Sequence, residues 1–282
     1  MNDAKERAAR LYSAVAAAYE DGAPFFAQAG RRLVELAGVA PGDAVLDVAA
    51  GRGAVLFPAA ERVGPRGRVV GVDLAPGMVD ETRAAIARRG LANAEMRLMD
   101  AEALAFDAGT FDRVLCSFAV FWFPALDRAL AEMRRVLRPG RTVGFAFTRG
   151  ADPRWRWYTD RLRESGALDG LPPSPGRPGI NQAGALAAAL RDAGFVDPRE
   201  TVEDDELYYS DAEVWWASLW THGERVALER LTPEAVGRLK AACLPRAQAL
   251  AGPHGVPQRH TFVYVTGLAP RPGGEAQQAG ST

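Results

Sequence analysis

The stretch Val45-Leu46-Asp47-Val48-Ala49-Ala50-Gly51-Arg52-Gly53 sets an acid near the end of an apolar run and follows it with small residues. Small residues at 49, 50, 51 and 53 let a ligand approach the backbone closely. Asp73 closes a second apolar run, Arg68 to Asp73, 20 residues after Gly53. A carboxylate so placed can accept both hydroxyls of a ribose. The competing role is to cap a helix opening at Pro76. The dinucleotide loop G-x-G-x-x-G is not met, because Leu56 stands where its third glycine belongs. No Tyr-x-x-x-Lys dyad can exist either, since the only lysines are Lys5 and Lys240, and no Gly-Lys-Ser/Thr phosphate loop occurs. The loop therefore suits a nucleoside without a pyrophosphate.

A second group of residues suggests where a reacting partner would sit. Trp155, Trp157, Tyr158, Tyr208, Tyr209, Trp215, Trp216 and Trp220 crowd into two short segments, and Phe121, Trp122 and Phe123 form a third. Aromatic side chains bury much apolar area and often line ligand pockets. On that basis Phe121, Trp122, Trp155, Tyr158, Trp216 and Trp220 are assigned to an acceptor pocket. The competing role is packing, because the adjacent Trp215 and Trp216 cannot share one helical face. His222, in Trp-Thr-His-Gly, is the foremost candidate for a general base, since histidine titrates near working pH. His254 and His260 are weaker candidates. Glu203 to Glu206 is an acidic run that reads as a solvated edge or an attractor of cations.

These residues need a frame. Apolar runs at 44–48, 68–73, 94–99, 111–117 and 142–148 alternate with helical patterns at 54–63, 76–89 and 125–137. Such alternation predicts a doubly wound, mostly parallel α/β sheet of seven strands, completed by strands within 196–209 and 258–267. Helices are expected over 4–18 and 25–37, interrupted at Asp21 to Pro24, and over 182–193. The division expected is an N-terminal helical lid (1–40), a nucleoside-binding core (41–149), and a remainder (150–268) with a helical insert at about 211–250. A disordered tail (269–282) follows. The Ala/Arg-rich first helix offers either a lid or a homo-oligomer contact.

The bulk numbers narrow the class. With 282 residues, 48% of them hydrophobic, and a net charge of -1, the chain suits a large α/β domain with added elements. The near-zero charge gives no support for nucleic-acid binding. Cys116 and Cys243 lie far apart with no histidine close to either, so no metal site is expected. The charged N-terminus is unlike a secretory signal and no apolar run approaches a membrane span of ~20 residues. A cytoplasmic protein is the expectation.

The stretch 44–147 resembles the class I S-adenosylmethionine (SAM)-dependent methyltransferases, in particular the small-molecule branch similar to the ubiquinone/menaquinone-biosynthesis enzymes. The resemblance rests on VLDVAAGRG at 45–53, VVGVDLAPGMV at 69–79, MDAEALAF at 99–106, FDRVLCSFAV at 111–120 and ALAEMRRVLRPGRTVGF at 129–145. It implies that Asp47, Ala49, Gly51 and Gly53 cradle the methionine and ribose portion. Asp73 would hold the ribose, Leu74 and Met78 would pack on adenine, and Asp100 with Ala101 would read the ring edge. Ser117 and Phe118 would border the methionine end, and Tyr19 would belong to a lid helix. The implied activity is methylation at O, N or C of a small, apolar or aromatic metabolite. Its main device would be alignment, which can contribute ~7–11 kcal/mol. Two other readings use the same fold, a SAM-binding protein that promotes a cyclisation or rearrangement, and a binding module without chemistry.

Overall fold

Every residue of Ala44–Val48 (β1) is buried, as a strand covered by helices on both faces must be. The computed structural model describes residues 3–19, 25–170 and 175–272. Around β1 lie Arg68–Asp73 (β2), Ala94–Leu98 (β3), Phe111–Ser117 (β4), Leu137–Thr148 (β5), Val196–Tyr209 (β6) and Val256–Leu268 (β7). They form one sheet in the order β3-β2-β1-β4-β5-β7-β6, parallel except for β7, which runs antiparallel to both neighbours. The first strand, β1, lies inside the sheet; the chain winds out to β3, then returns to β4 on the other side of β1. The gap outside the carboxyl ends of β1 and β4 is thus a topological switch point, where open α/β sheets bind ligands.

Each face of the sheet buries its own layer. On one, Leu46, Val72, Val114 and Phe145 pack under Leu130 and Met133 of Leu126–Val136 (α5) and Leu186 and Leu190 of Ala185–Asp192 (α7). On the other, Val45, Val69 and Leu115 meet Leu33 of Phe25–Leu36 (α2), Leu56 of Leu56–Val63 (α3) and Val79 of Pro76–Arg88 (α4). The amino-terminal helix Asp3–Val15 (α1) buries only Val15 of its own length. A separate core joins Arg156–Glu164 (α6), Ala212–Ser218 (α8) and Pro233–Gln248 (α10), with the short Arg225–Leu228 (α9) between the last two. Among the described residues no helix is long and apolar enough to cross a membrane.

Several expectations shift. The first helix ends at Val15 and a turn carries the chain to Tyr19. Arg138-Pro139-Gly140 lies inside β5 rather than ahead of it. Leu137 already pairs with Phe111, the register then slips, and Gly140 takes the left-handed φ of +73°. The helix expected from Gln182 starts at Ala185, because Gly184 turns the chain at φ +70°. The break at Asp21 to Pro24 and most of the expected tail fall outside the described residues.

Asp112 shows why the charged start of β4 is structural. It is 4% exposed and accepts the Ala44 N–H at 3.0 Å and Arg138 at 2.6 Å, with Arg141 at 3.3 Å. Burial pushes its carboxyl up, but the Ala44 N–H and the two arginines outweigh that and hold it below the usual range. A depressed carboxyl stabilises the fold above its unfolded pKa and loses that contribution as pH falls through the folded value. Asp112→Asn is therefore expected to cost about 1–3 kcal/mol at neutral pH. The difference from the native protein should close on acidification, as urea melts at several pH values would show.

Candidate active site

The turn after β1 runs through left-handed backbone. Ala49 holds φ +54°, Gly51 +51° and Gly53 +88°. A non-glycine residue in that region marks a conformation imposed by its surroundings. Three contacts impose it. Gly51 N–H donates to Asp73 Oδ2 at 2.9 Å, the Thr82 hydroxyl donates to Gly51 O at 2.7 Å, and Gly53 N–H donates to Ala50 O at 2.8 Å. From outside, α2 presses Gly30 so close that a Cβ there would lie 2.0 Å from the Ala54 carbonyl oxygen. At the end of β4, Phe118 also sits at φ +55°, so both strands flanking the switch point end in left-handed residues.

These turns border an open cavity. Asp47, Ala49 and Gly51 line it from β1, Asp73, Leu74 and Met78 from β2 and α4, and Asp100 and Ala101 from beyond β3. Ser117 and Phe118 line it from β4, and Tyr19 from the amino-terminal side. Gly53 is not among its walls. It serves the turn, since a Cβ there would collide with the Phe57 ring.

Asp73 does two things at once. Its Oδ1 accepts the N–H of Ala75, the cap of α4, at 2.9 Å, while Oδ2 braces Gly51. Each carboxylate oxygen has a second lone pair, so capacity remains for ribose hydroxyls. Burial pushes its carboxyl up, and the N–H groups of Ala75, Gly51 and Leu74 offset this only in part. Ser117 Oγ is buried with no hydrogen-bond partner among the described residues. A carboxylate short of donors and an orphan hydroxyl on the wall of one cavity fit a polar ligand such as a nucleoside.

The sequence reading offered the first helix as a lid but picked out none of the α1 residues that face the cavity. Lys5, Ala8, Ala9 and Tyr12 all line the cavity. Their spacing of three, four and seven residues is the one signal that could have placed them on a single helical face. Lys5 Nζ donates to Asp100 Oδ2 at 2.7 Å and also to Glu102. The Tyr12 ring stands edge-on to Tyr19 at 5.8 Å and to Trp122 at 5.5 Å.

Of the aromatics assigned to an acceptor pocket, Trp122 lines this cavity and Phe121 packs beside it. Trp155, Tyr158 and Trp216 belong to the core of the added helices, where Trp155 meets Trp215 at 4.6 Å and donates to Pro257 O at 3.0 Å. Trp220 packs partly exposed against the same core. Their clustering thus has a packing cause, since four short elements must bury a core of their own. His222 and His260 do not line the cavity, but both touch phenylalanines next to it. His254 is exposed beside Tyr208.

Comparison with known proteins agrees with this geometry. Residues 45–140 match the model of a family described as "Methyltransferase domain". The chain is 37% identical over 281 residues to nocamycin O-methyltransferase of Saccharothrix syringae, covering 95% of this chain and 98% of that protein. It belongs to the class I SAM-dependent methyltransferases. A ubiquinone/menaquinone biosynthesis C-methyltransferase of Hydrogenovibrio crunogenus is 40% identical over 111 residues, 39% of this chain and 44% of that protein. Phosphoethanolamine N-methyltransferase 2 of Haemonchus contortus, solved with SAM bound, shares the fold. Its TM-score is 0.51 and its identity 16%, over 86% of this chain and 52% of that one. The protein is a methyltransferase with SAM as cofactor.

Proposed function

We propose that the protein methylates a small, apolar or aromatic metabolite, with oxygen as the favoured acceptor atom. One observation carries this reading. The cavity runs from the ribose-type carboxylate of Asp73 to an aromatic wall of Phe26, Phe118 and Trp122, and His222 packs against that wall. The full-length likeness to an O-methyltransferase supports oxygen.

SAM supplies a methyl group already activated on a positively charged sulfur. The chain's task is then to bind, align and exclude water. Asp73 and the Gly51 turn hold the sugar end, and Asp100, Leu74 and Met78 bound the base end. Phe118 and Trp122 keep water from the reacting centre and present a flat apolar surface to an acceptor ring. Such alignment can contribute ~7–11 kcal/mol without an elaborate catalytic triad. His222, which packs behind that wall, is the residue assigned to take a proton from an acceptor that carries one.

The test is direct. The purified protein with SAM and a panel of hydroxylated aromatic metabolites should yield a product heavier by one methyl group and one S-adenosylhomocysteine per turnover. Tight binding of the cofactor with no methylated product across phenols, amines and carbon acids would sink this reading.

A further inference from the structure

Of the three basic side chains on α1, only one turns inward. Arg7 pairs with Asp3 and Arg10 with Glu6, each one turn along the helix, and both stay exposed. Lys5 instead lines the cavity beside Asp100 and Ala101, with its side chain 12% exposed. Among the described residues it is the only basic side chain on that wall. Removing a charge from water is costly unless partners offset it. Burial pulls the Lys5 ammonium down, but its hydrogen bonds to Asp100 and Glu102, and their charges, outweigh that and raise it, so it remains a cation.

The ammonium is held in a fixed place. Lys5 Nζ donates to Asp100 Oδ2 at 2.7 Å and to Glu102 Oε2. Glu102 is 7% exposed, and its Oε1 accepts the Ala125 N–H, at the start of α5, at 2.9 Å. Its own N–H donates to Asp100 Oδ1 at 2.9 Å. An ammonium has three N–H donors, and the two carboxylates use two of them. Asp100 Oδ2 likewise keeps a second lone pair. The cavity wall therefore shows a ligand one acceptor and one donor side by side, 2.7 Å apart.

One edge of adenine carries the matching pattern, the N6 amino donor beside the N7 acceptor, which asparagine or glutamine reads with an acceptor and a donor of its own. Guanine sets two acceptors on that edge, and one of them would face the Asp100 anion. We propose that Lys5 is a specificity-determining residue for the cofactor, donating to adenine N7 while Asp100 accepts from the N6 amino group, with Glu102 positioning the ammonium. The first helix then touches the cofactor itself as well as the protein around it. The competing role is a latch, in which Lys5 ties α1 to the loop after β3 and never meets the base. The inference concerns the cofactor and holds whichever acceptor is methylated.

Calorimetry with S-adenosylhomocysteine and its 7-deaza analogue, in which C–H replaces N7, separates the two roles. The native protein should bind S-adenosylhomocysteine about 5-fold more tightly than the analogue, the worth of one hydrogen bond. Lys5→Met should bind both ligands equally, near the affinity of the native protein for the analogue. Lys5→Gln keeps a neutral donor and should retain part of the preference; it also serves should methionine unseat α1. A latch would lower both affinities alike, so their ratio is the readout. Equal binding of the two ligands by the native protein overturns the proposal. So does a Lys5→Met protein that keeps the native preference, or a Lys5-dependent loss seen with a 1-deaza analogue in place of the 7-deaza one. Loss of all binding in both variants overturns it too, since one hydrogen bond to N7 cannot account for that. None of these outcomes bears on methyl transfer to the proposed acceptor.

Discussion

Asp73→Asn is expected to weaken binding of SAM and of S-adenosylhomocysteine by at least ~100-fold, because two charge-assisted hydrogen bonds of about 1.5–3 kcal/mol each are lost. Titration calorimetry measures this directly. Asparagine keeps one carbonyl oxygen, so one of the two braces, to Gly51 or to Ala75, survives. The substitution also removes a buried charge. Burial raises the Asp73 carboxyl, so the folded chain holds that proton more tightly than the unfolded chain does. By linkage this group alone makes the empty protein more stable as pH falls and less stable near neutrality. The asparagine protein should therefore melt close to the native one at neutral pH, and part of the native pH dependence should disappear. Cofactor affinity of the native protein should fall on acidification, beginning above the usual carboxylate range, as the ionised acceptor is lost. Equal affinity of the two proteins would remove Asp73 from the ribose site.

The contrast between this carboxylate and the acceptor side shows what the sequence could convey. Asp73, Asp47 and the glycine turn are legible because their constraints are local. A strand must end, the chain must turn sharply, and an acid must stand at the next strand's tip. The parallel strands β1 and β2 were legible for the same reason, since burial on both faces leaves nearly unbroken apolar runs. The aromatic segments carried no such local constraint. A tryptophan that packs a small core and one that lines a pocket have the same composition, and only the fold separates Trp155 and Trp216 from Trp122. Lys5 was noticed only as a lysine in the wrong place for another chemistry. Its role is long-range, 95 residues away at Asp100.

That long-range contact leads to the expected behaviour of α1. The helix lies over the cavity with Lys5, Ala8, Ala9 and Tyr12 facing it, yet it is weakly held. Val15, Ala16, Ala75 and Met78 form its small apolar contact, Lys5 pins one end, and Arg52 donates to the Ala16 and Ala17 carbonyls at the other. Elements with few buried contacts open at low free energy. Its docking depends on Gly77, whose N–H donates to Ser13 Oγ at 3.2 Å. A Cβ at 77 would lie 2.7 Å from the Ser13 carbonyl oxygen and 2.8 Å from its Cα, both backbone atoms that cannot swing aside. Gly77→Val should therefore lift α1 while leaving the sheet intact, since valine is tolerated in a helix at a cost below about 1 kcal/mol. Hydrogen exchange should rise across residues 3–15 and stay unchanged in β1 and β4. Dissociation of S-adenosylhomocysteine should become at least ~10-fold faster, equivalent to about 1.4 kcal/mol of lost retention. Lys5→Ala should act in the same direction with a smaller effect, because it frees one end and leaves the helix seated. If exchange rises across α1 while ligand dissociation keeps its native rate, the helix is not the cover of this site.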